Sequence, residues 1–168
     1  PSVARRALSS LHSAMAKAEG EVTVAVRHLQ DGDQIVAAWP GYVDAAYGIA
    51  VDVGSTTVAG HLCELKSGEI VASYGLMNPQ IRFGEDLMSR VSYVMMNPGG
   101  EVELTNAIRA ALNEMINGLV TKADIDVERV LEITIVGNPI MHHIVLGIDP
   151  TPLGMAPFVL ATSESVSG

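Results

Sequence analysis

Residues 50–60 read AVDVGSTTVAG, and this stretch places an aspartate and three hydroxyl residues around a glycine between two β-branched runs. The apolar run before it and VAGHLCEL after it are typical of strands, and Gly54-Ser55 predicts a tight hairpin turn between them. Asp52 is expected at the end of a strand buried on both faces, where a carboxylate is costly without a metal ion, bound water or backbone donors. The stretch therefore predicts a polar corner that requires a ligand or a cap.

Composition limits the class of protein and the kind of partner. The 168 residues are 48% hydrophobic and 17% charged, which predicts a folded protein with one core and at most a small appendage. Ten Lys and Arg against nineteen Asp and Glu give a net charge of −9, and without a basic run this argues against a nucleic-acid partner. No apolar run reaches the roughly 18–20 residues that span a bilayer, so we expect no membrane association and a cytoplasmic location.

The first part of the chain predicts a small α+β unit. Apolar residues repeat at helical spacing over residues 2–18, and Gly20 is expected to end that helix. EVTVAVRHL and QIVAAW then predict two strands around the turn LQDGDQ. PGYVDA (40–45) is typical of a linker, so we expect this unit at 1–45 and a second domain at 46–168. The start without Met and the tail ATSESVSG suggest a piece of a longer protein.

Beyond the linker the pattern predicts a mixed sheet. Strands are expected at 48–53, 56–65 and 69–76, joined by tight turns into an antiparallel meander. A helix near LMSRVSYVMM and a longer one after NPGG precede a fourth strand at 130–137, and a short helix then ends at Gly147. A strand reached by a helical crossover can return parallel to the first. This order fits the ribonuclease H-like fold of actin, sugar kinases and Hsp70 chaperones, and it also fits other mixed α/β folds.

The glycine corner carries the predicted chemistry. A bend with Gly54, Ser55, Thr56 and Thr57 between paired strands can direct several backbone N–H groups at one point and form an anion-binding nest. Asp52 on the same side would contact hydrated Mg²⁺ through water, because magnesium keeps several waters and takes one or two carboxylates. The corner thus predicts a phosphate loop for Mg-ATP, with Asp52 as the catalytic and metal-binding residue. The alternative is a plain hairpin in which Asp52 caps a backbone amide.

Two further acidic residues are candidate catalytic groups. Glu85 and Asp86 stand where a helix is predicted to begin. There an acidic side chain caps the helix N-terminus and complements its positive end. The other interpretation is that these carboxylates face a nucleotide cleft and orient water.

The remaining reactive side chains are assigned to packing. Cys63 is expected to be a buried structural thiol, and a single cysteine builds neither a disulfide framework nor an iron–sulfur cluster. His142 and His143 would point about 100° apart on a helix, so they are not expected to share a metal ion. Five methionines fit core positions, namely Met88, Met95, Met96, Met115 and Met141.

Three separated segments resemble one family. They are YGIAVDVGSTTVAGHL, MNPQIRFGEDLMSRV and VGNPIMHHIVLGIDPTPLGMAPF. Together they resemble the ATP-dependent reductive activators of corrinoid proteins, which join a plant-type ferredoxin domain and a small middle domain to an actin-like, sugar-kinase-like ATPase domain. The resemblance covers residues 47–160, and 1–40 is similar to part of the middle domain. It implies a fragment that ends before the second half of the ATPase domain.

The resemblance also implies cofactors and a partner. The complete protein would use Mg-ATP to drive an electron from a 2Fe-2S centre, held in a domain absent from this chain, onto Co(II) of a corrinoid methyl-transfer protein. Where that family commonly has GNTTM, this chain has GNPIM at 137–141, so a ligand role there rests on Asn138. The isolated segment is expected to be inactive.

Two other functions stay open at this point. The segment could be a nucleotide-independent interaction or dimerisation module of a ferredoxin-containing protein, in which exposed strand edges favour a homodimer. A nuclease of the ribonuclease H type also places an Asp on its first strand. That chemistry needs further converging carboxylates, and the acidic charge balance disfavours a polynucleotide substrate.

Overall fold

The computed structural model describes residues 2–5, 7–18, 20–162 and 166. Within them the chain forms two β-sheets and four α-helices, which is the predicted mixed α/β class. The strands are β1 (Ser2–Val3), β2 (Val22–Leu29), β3 (Gly32–Pro40), β4 (Tyr47–Val53), β5 (Thr57–Glu64), β6 (Ile70–Met77) and β7 (Val130–Gly137). The helices are α1 (Ala7–Lys17), α2 (Leu87–Met96), α3 (Gly100–Ala123) and α4 (Pro139–Leu146), with short 3-10 helices at Pro79–Phe83, Val127–Arg129 and Thr151–Gly154.

The first sheet has the order β1-β3-β2, and α1 packs against it. β2 and β3 form the predicted antiparallel hairpin. The prediction of a helix over 2–18 is wrong at its start, where β1 pairs in parallel with β3. The backbone there obtains partners from β3 that a helix N-terminus lacks, since the N–H of Ala4 donates to the carbonyl of Ile35 at 2.8 Å. Arg6, inside the predicted helix, lies outside the described residues.

The segment that connects the two sheets is fixed by hydrogen bonds. Thr23 Oγ1 accepts from the N–H of Val43 at 3.0 Å, which ties the segment to β2. Arg129, immediately before β7, donates to the carboxylate of Asp44 at 2.9 Å. This hydrogen bond holds the pKa of Asp44 below its usual value. The predicted linker at 40–45 is therefore attached to both sheets.

The second sheet has the order β6-β5-β4-β7. β4 pairs antiparallel with β5, β5 pairs antiparallel with β6, and β7 runs parallel to β4 after the chain has passed through α2 and α3. The predicted meander and the parallel return of the fourth strand at 130–137 are confirmed. Among the described residues no strand pairs with the outer side of β7, so β7 lies at an edge.

Helix α3 covers one face of the second sheet. Its apolar side chains repeat at the predicted helical spacing, and Leu104, Ile108, Met115 and Leu119 are fully buried against a cluster that includes Val51 of β4. Full burial of such a side chain contributes about 1.5–3 kcal/mol to folding stability. The packing of α3 therefore holds the second sheet in place. No helix in the described part of the chain is long and apolar enough to cross a membrane.

The face of the second sheet opposite α3 lies open within the described residues. Ala50 and Asp52 of β4 are exposed there. Cys63 of β5 is half-buried, which corrects the prediction of a buried thiol. The physical reason is that no described layer covers this face.

The prediction of a core position is wrong for three of the five methionines. Met88, Met95 and Met96 are exposed at 49%, 53% and 74%. The inward face of α2 carries Arg90 together with two valines, so these methionines fall on the outer part of the helix. The two that are fully buried, as predicted, are Met115 and Met141.

Candidate functional site

The carboxyl ends of β4 and β7 meet at one edge of the second sheet. Their last residues, Val53 and Gly137, pair directly on parallel strands. The turn of residues 54–57 follows β4 at that edge, and Asn138 follows β7. Ligands of open α/β sheets commonly bind outside the carboxyl ends of such strands. The structure therefore brings the predicted phosphate hairpin and Asn138 together in one candidate site.

The hairpin is held from behind by its own backbone and by Asn78. The N–H of Gly54 donates to the carbonyl of Thr57 at 3.0 Å. Asn78, fully buried in the loop after β6, donates from its N–H to the carbonyl of Thr56 and from Nδ2 to the carbonyl of Gly54, both at 2.8 Å. Its Oδ1 accepts from the N–H of Gln80 at 2.9 Å, which fixes the orientation of the side-chain amide. The turn therefore has a defined backbone conformation.

Arg90 of α2 lies fully buried behind the same hairpin. Its Nη2 donates to the carbonyl of Ser55, and its Nε donates to the carbonyl of Gly84 at 3.0 Å. Its Nη1 contacts Oε1 of Gln80 at 3.3 Å and Sδ of Met141 at 3.4 Å. A single side chain thus reaches the hairpin, the loop before α2, and helix α4.

These internal hydrogen bonds occupy the carbonyls of the hairpin and leave two of its amides unoccupied. Every carbonyl of residues 54–57 accepts from Asn78, Arg90 or Gly54. In contrast, the N–H groups of Ser55 and Thr56 donate to no acceptor among the described residues. A backbone N–H requires a partner, so these two amides are available to water or to an anion.

Gly54 is required by the close approach of backbone across the turn. A Cβ at this position would lie 2.7 Å from the carbonyl oxygen of Thr57. That oxygen accepts the N–H of Gly54 itself, so any side chain would displace the hydrogen bond that closes the turn. The glycine is therefore tied to the shape of the hairpin.

Asp52 stands on the exposed face, two residues before Gly54. The expectation of a strand buried on both faces is wrong here, because α3 covers only the face that carries Val51 and Val53. The carboxylate makes no hydrogen bond or ion pair with any residue that the structure describes. The alternative in which Asp52 caps a backbone amide is therefore not found in the described chain.

Asn138 has a structural role at this edge. Its Oδ1 accepts from the N–H of Met141 at 3.0 Å and caps the N-terminus of α4, with Pro139 in the first turn. Its Nδ2 donates to no described acceptor. The side-chain nitrogen is therefore the group of Asn138 that is left for a ligand.

Glu85 and Asp86 lie at the start of α2. Asp86 Oδ1 accepts from the N–H of Ser89 at 2.7 Å, and this hydrogen bond holds the pKa of Asp86 below its usual 3.8. Helix capping, one of the two predicted roles, is thus seen for Asp86. No hydrogen bond or ion pair joins either residue to Asp52 in the described segments. Those segments also bring together no group of three His, Cys, Asp or Glu side chains suited to a metal ion.

His143 is fully buried and has a defined protonation pattern. Its Nδ1 donates to the carbonyl of Pro139 at 2.7 Å, and its Nε2 accepts from the N–H of Ala161 at 3.1 Å. Only the neutral ring with hydrogen on Nδ1 satisfies both contacts. The prediction that this residue serves packing and hydrogen bonding is confirmed.

The sequence predictions missed the buried polar residues behind the hairpin, namely Asn78, Gln80 and Arg90. The signal for Asn78 was an Asn-Pro pair directly after a strand, a pattern typical of a side chain that bonds to nearby backbone. The signal for Arg90 was a charge on the same helical face as Val94, because a fully buried charge is rare and needs partners. Gln80 carried no signal of its own.

Comparison with known proteins identifies the family. Residues 47–167 match the family model described as the RACo middle region. Over 121 residues the chain is 36% identical to the corrinoid activation enzyme RamQ of Eubacterium limosum, a match that covers 72% of this chain and 20% of that protein. A solved structure described as a reductive activator for corrinoid, iron-sulfur protein matches with a TM-score of 0.77 at 30% identity, over 95% of this chain and 26% of its own.

The chain therefore spans about a quarter or less of the length of these two relatives. The matches confirm the resemblance to reductive activators of corrinoid proteins that the three sequence segments carry. Because the family model covers well over half of the residues, the chain belongs to the RACo middle region family.

Proposed function

We propose that β4 to β7 with α2 to α4 form the first half of a ribonuclease H-like domain of the actin and sugar-kinase type. The support is the strand order β6-β5-β4-β7, in which β4 pairs antiparallel with one neighbour and parallel with the other. We propose that this domain comprises residues 46–168 and that 1–45 is a separate small unit. The change of sheet between Pro40 and Tyr47 supports that boundary.

We further propose that residues 54–57 bind the phosphates of Mg-ATP. The observation that carries this proposal is the pair of unoccupied amides, on Ser55 and Thr56, in a turn whose carbonyls are all bonded internally. Convergent backbone N–H groups form anion sites without any charged side chain. Asn138 Nδ2 supplies a further donor at the end of the neighbouring strand.

Asp52 is proposed to hold magnesium through water. Its carboxylate is exposed, makes no bond within the described chain, and stands at the strand end that leads into the hairpin. When bound, Mg-ATP would supply the free energy of phosphoanhydride hydrolysis. Glu85 and Asp86 are proposed as secondary catalytic groups that orient water, with Asp86 already engaged by Ser89.

In the complete protein, we propose, this free energy drives one electron from an iron–sulfur centre onto Co(II) of a corrinoid protein and so regenerates Co(I). The support is the similarity to RamQ and to the solved reductive activator. A 2Fe-2S centre needs four protein ligands, and this sequence contains one cysteine, Cys63, within β5. The iron–sulfur centre would therefore lie in another part of the protein. We propose that the complete protein is cytoplasmic.

The test follows cobalt reduction in the complete natural protein that contains this sequence. The Co(II) corrinoid protein and a reductant are supplied, and Co(I) is measured by its visible absorption with Mg-ATP, with a non-hydrolysable analogue, and without nucleotide. We expect Co(I) to accumulate only with hydrolysable nucleotide. Equal rates in all three samples would overturn the role of ATP.

The open edge of β7 favours a second candidate function, a nucleotide-independent interaction or dimerisation module. Ile133, Ile135 and Val136 of this strand are exposed at 43%, 40% and 59%. An unpaired apolar strand is prone to pair with another chain. Light scattering on the complete protein, with and without Mg-ATP, distinguishes the two functions. A stable dimer that does not bind Mg-ATP would support the dimerisation module. A monomer that binds the nucleotide would contradict it.

A further inference from the structure

Arg90 is a buried cation without an anionic partner in the described chain. Its side chain is 0% exposed, and its four contacts are uncharged acceptors on Ser55, Gly84, Gln80 and Met141. None of the ion pairs among the described residues includes it. A guanidinium stays protonated in proteins, and burying one without a paired anion is costly. The burial of Arg90 is therefore unfavourable by itself, and a role for its charge at this position would explain it.

One carboxylate acts on Arg90 without neutralising it. Burial lowers the pKa of Arg90, and the charge of Asp86, one turn earlier on the chain, acts in the opposite direction. Asp86 is itself engaged in capping α2 through Ser89. Asp86 therefore acts on Arg90 through the field of its charge, and no carboxylate of the described residues forms an ion pair with the guanidinium.

The geometry of the peptide bond gives the hydrogen bond to Ser55 a directional effect. A trans peptide is planar, so the carbonyl of one residue and the N–H of the next point in opposite directions. When Arg90 holds the carbonyl of Ser55 on the buried side, the N–H of Thr56 is turned to the other side. Asn78 acts in the same way on the preceding peptide, because it holds the carbonyl of Gly54 and thereby turns the N–H of Ser55.

Arg90 also joins the two halves of the candidate site. Ser55 belongs to the turn after β4, whereas Met141 lies in α4, whose N-terminus is capped by Asn138 after β7. The guanidinium contacts both. Movement of this one side chain would therefore change both segments together.

We propose that Arg90 is a positioning residue of the phosphate site, which orients the hairpin amides toward the ligand and places an unpaired positive charge behind them. This inference rests on the proposed binding of Mg-ATP and deepens it. Arg90 does not touch the ligand. It acts through the peptide of Ser55 and Thr56, and its charge favours phosphate over an uncharged ligand.

The test compares ligands that differ in phosphate charge. Arg90→Lys keeps one charge, but an ammonium lacks the planar fork that serves several acceptors. Gln80→Glu keeps the arginine and adds a carboxylate beside its Nη1, and it also removes the hydrogen bond from Gln80 Nε2 to the carbonyl of Leu104. In the complete protein, we expect each variant to weaken Mg-ATP binding in calorimetry by about tenfold or more, with adenosine affinity unchanged.

Arg109→Lys is the matched control for Arg90→Lys. Arg109 is exposed on α3 and donates to the carbonyl of Val145 through Nε at 3.2 Å and Nη2 at 3.1 Å, at the opposite end of α4 from Asn138. Like Arg90→Lys, this variant keeps the positive charge and replaces the planar guanidinium fork by an ammonium, but away from the hairpin. We expect this variant to bind Mg-ATP as the wild type does.

The possible results distinguish the positioning role of Arg90 from the proposed binding of Mg-ATP. A wild-type protein that binds no Mg-ATP overturns both. Wild-type binding that persists unchanged in folded Arg90→Lys and Gln80→Glu overturns the inference alone. Equal weakening of adenosine and Mg-ATP, or loss of folding by circular dichroism in both variants, would assign Arg90 a merely structural role and also overturn it.

Discussion

Val53 and Gly137 are paired on parallel strands, and each is the last residue of its strand. A Cβ at Gly137 would lie 3.0 Å from the carbonyl oxygen of Val53, which reflects how closely the two backbones approach. The pairing makes neighbours of two turns that are far apart in sequence, the hairpin at 54–57 and the α4 N-terminus at Asn138.

Gly54→Ala should disrupt the hairpin. The new Cβ would lie 2.7 Å from the carbonyl oxygen of Thr57, so the turn must open. Overpacking of this kind costs about 1–3 kcal/mol, and chemical denaturation should report a loss of that size together with weaker Mg-ATP binding. Gly75→Ala in β6 is the matched control, since its nearest contact would be 3.8 Å away, from the carbonyl of Val58. Equal stability of the two variants would contradict the close contact at Gly54.

Asp52→Asn should abolish magnesium-dependent ATP hydrolysis by the complete protein and leave its folding stability nearly unchanged. The carboxylate is exposed and has no partner in the described chain, and such substitutions usually change stability by less than about 0.5 kcal/mol. Asp31→Asn removes the same charge from the exposed turn between β2 and β3 and should hydrolyse ATP normally. Wild-type turnover by Asp52→Asn would defeat the assignment of this residue.

The sequence predicted the second sheet well because its signals are local. β-branched runs and turn residues define β4 to β7, and the strand at 130–137 is found at those bounds. The helical period of α3 likewise predicts which of its faces is buried. These features depend on neighbours within one element, so a single sequence carries them.

The candidate site was predicted only in part, because its construction depends on distant residues. The hairpin and Asn138 could be identified from short motifs, but the roles of Asn78 and Arg90 depend on contacts between separate elements. The prediction that Asp52 is buried was wrong because a strand pattern does not reveal which face of the sheet is covered. The predicted start of the first helix was wrong because Ser2–Val3 form a strand that pairs with β3.

The acid dependence of stability should contain a contribution from Asp86. Its carboxylate accepts from the N–H of Ser89, so its pKa in the folded protein lies below the usual 3.8. The stabilisation is therefore fully present above about pH 4 and is lost as the pH falls through the folded-state pKa. Asp86→Asn keeps a capping acceptor but has no charge. The difference in urea midpoint between wild type and this variant should shrink as the pH is lowered below 3.8.

Asp31→Asn reports the general effect of removing one negative charge, because Asp31 is exposed in a turn of the first sheet. Subtracting its pH profile isolates the part due to the cap at Asp86. A midpoint difference for Asp86→Asn that stays constant from pH 6 to pH 3 would contradict this prediction.

Substitutions at Asn138 can separate its cap from its proposed role as a ligand donor. Asn138→Asp keeps the oxygen that accepts from Met141, and Asp caps helices about as well as Asn, so stability should hold. The same change replaces the Nδ2 donor by a negative oxygen, so Mg-ATP affinity of the complete protein should fall by about tenfold or more. Asn138→Ala removes both functions and should also cost about 1 kcal/mol in unfolding free energy. If calorimetry gives Asn138→Asp the wild-type affinity, Asn138 is a helix cap and the phosphate site consists of the hairpin alone.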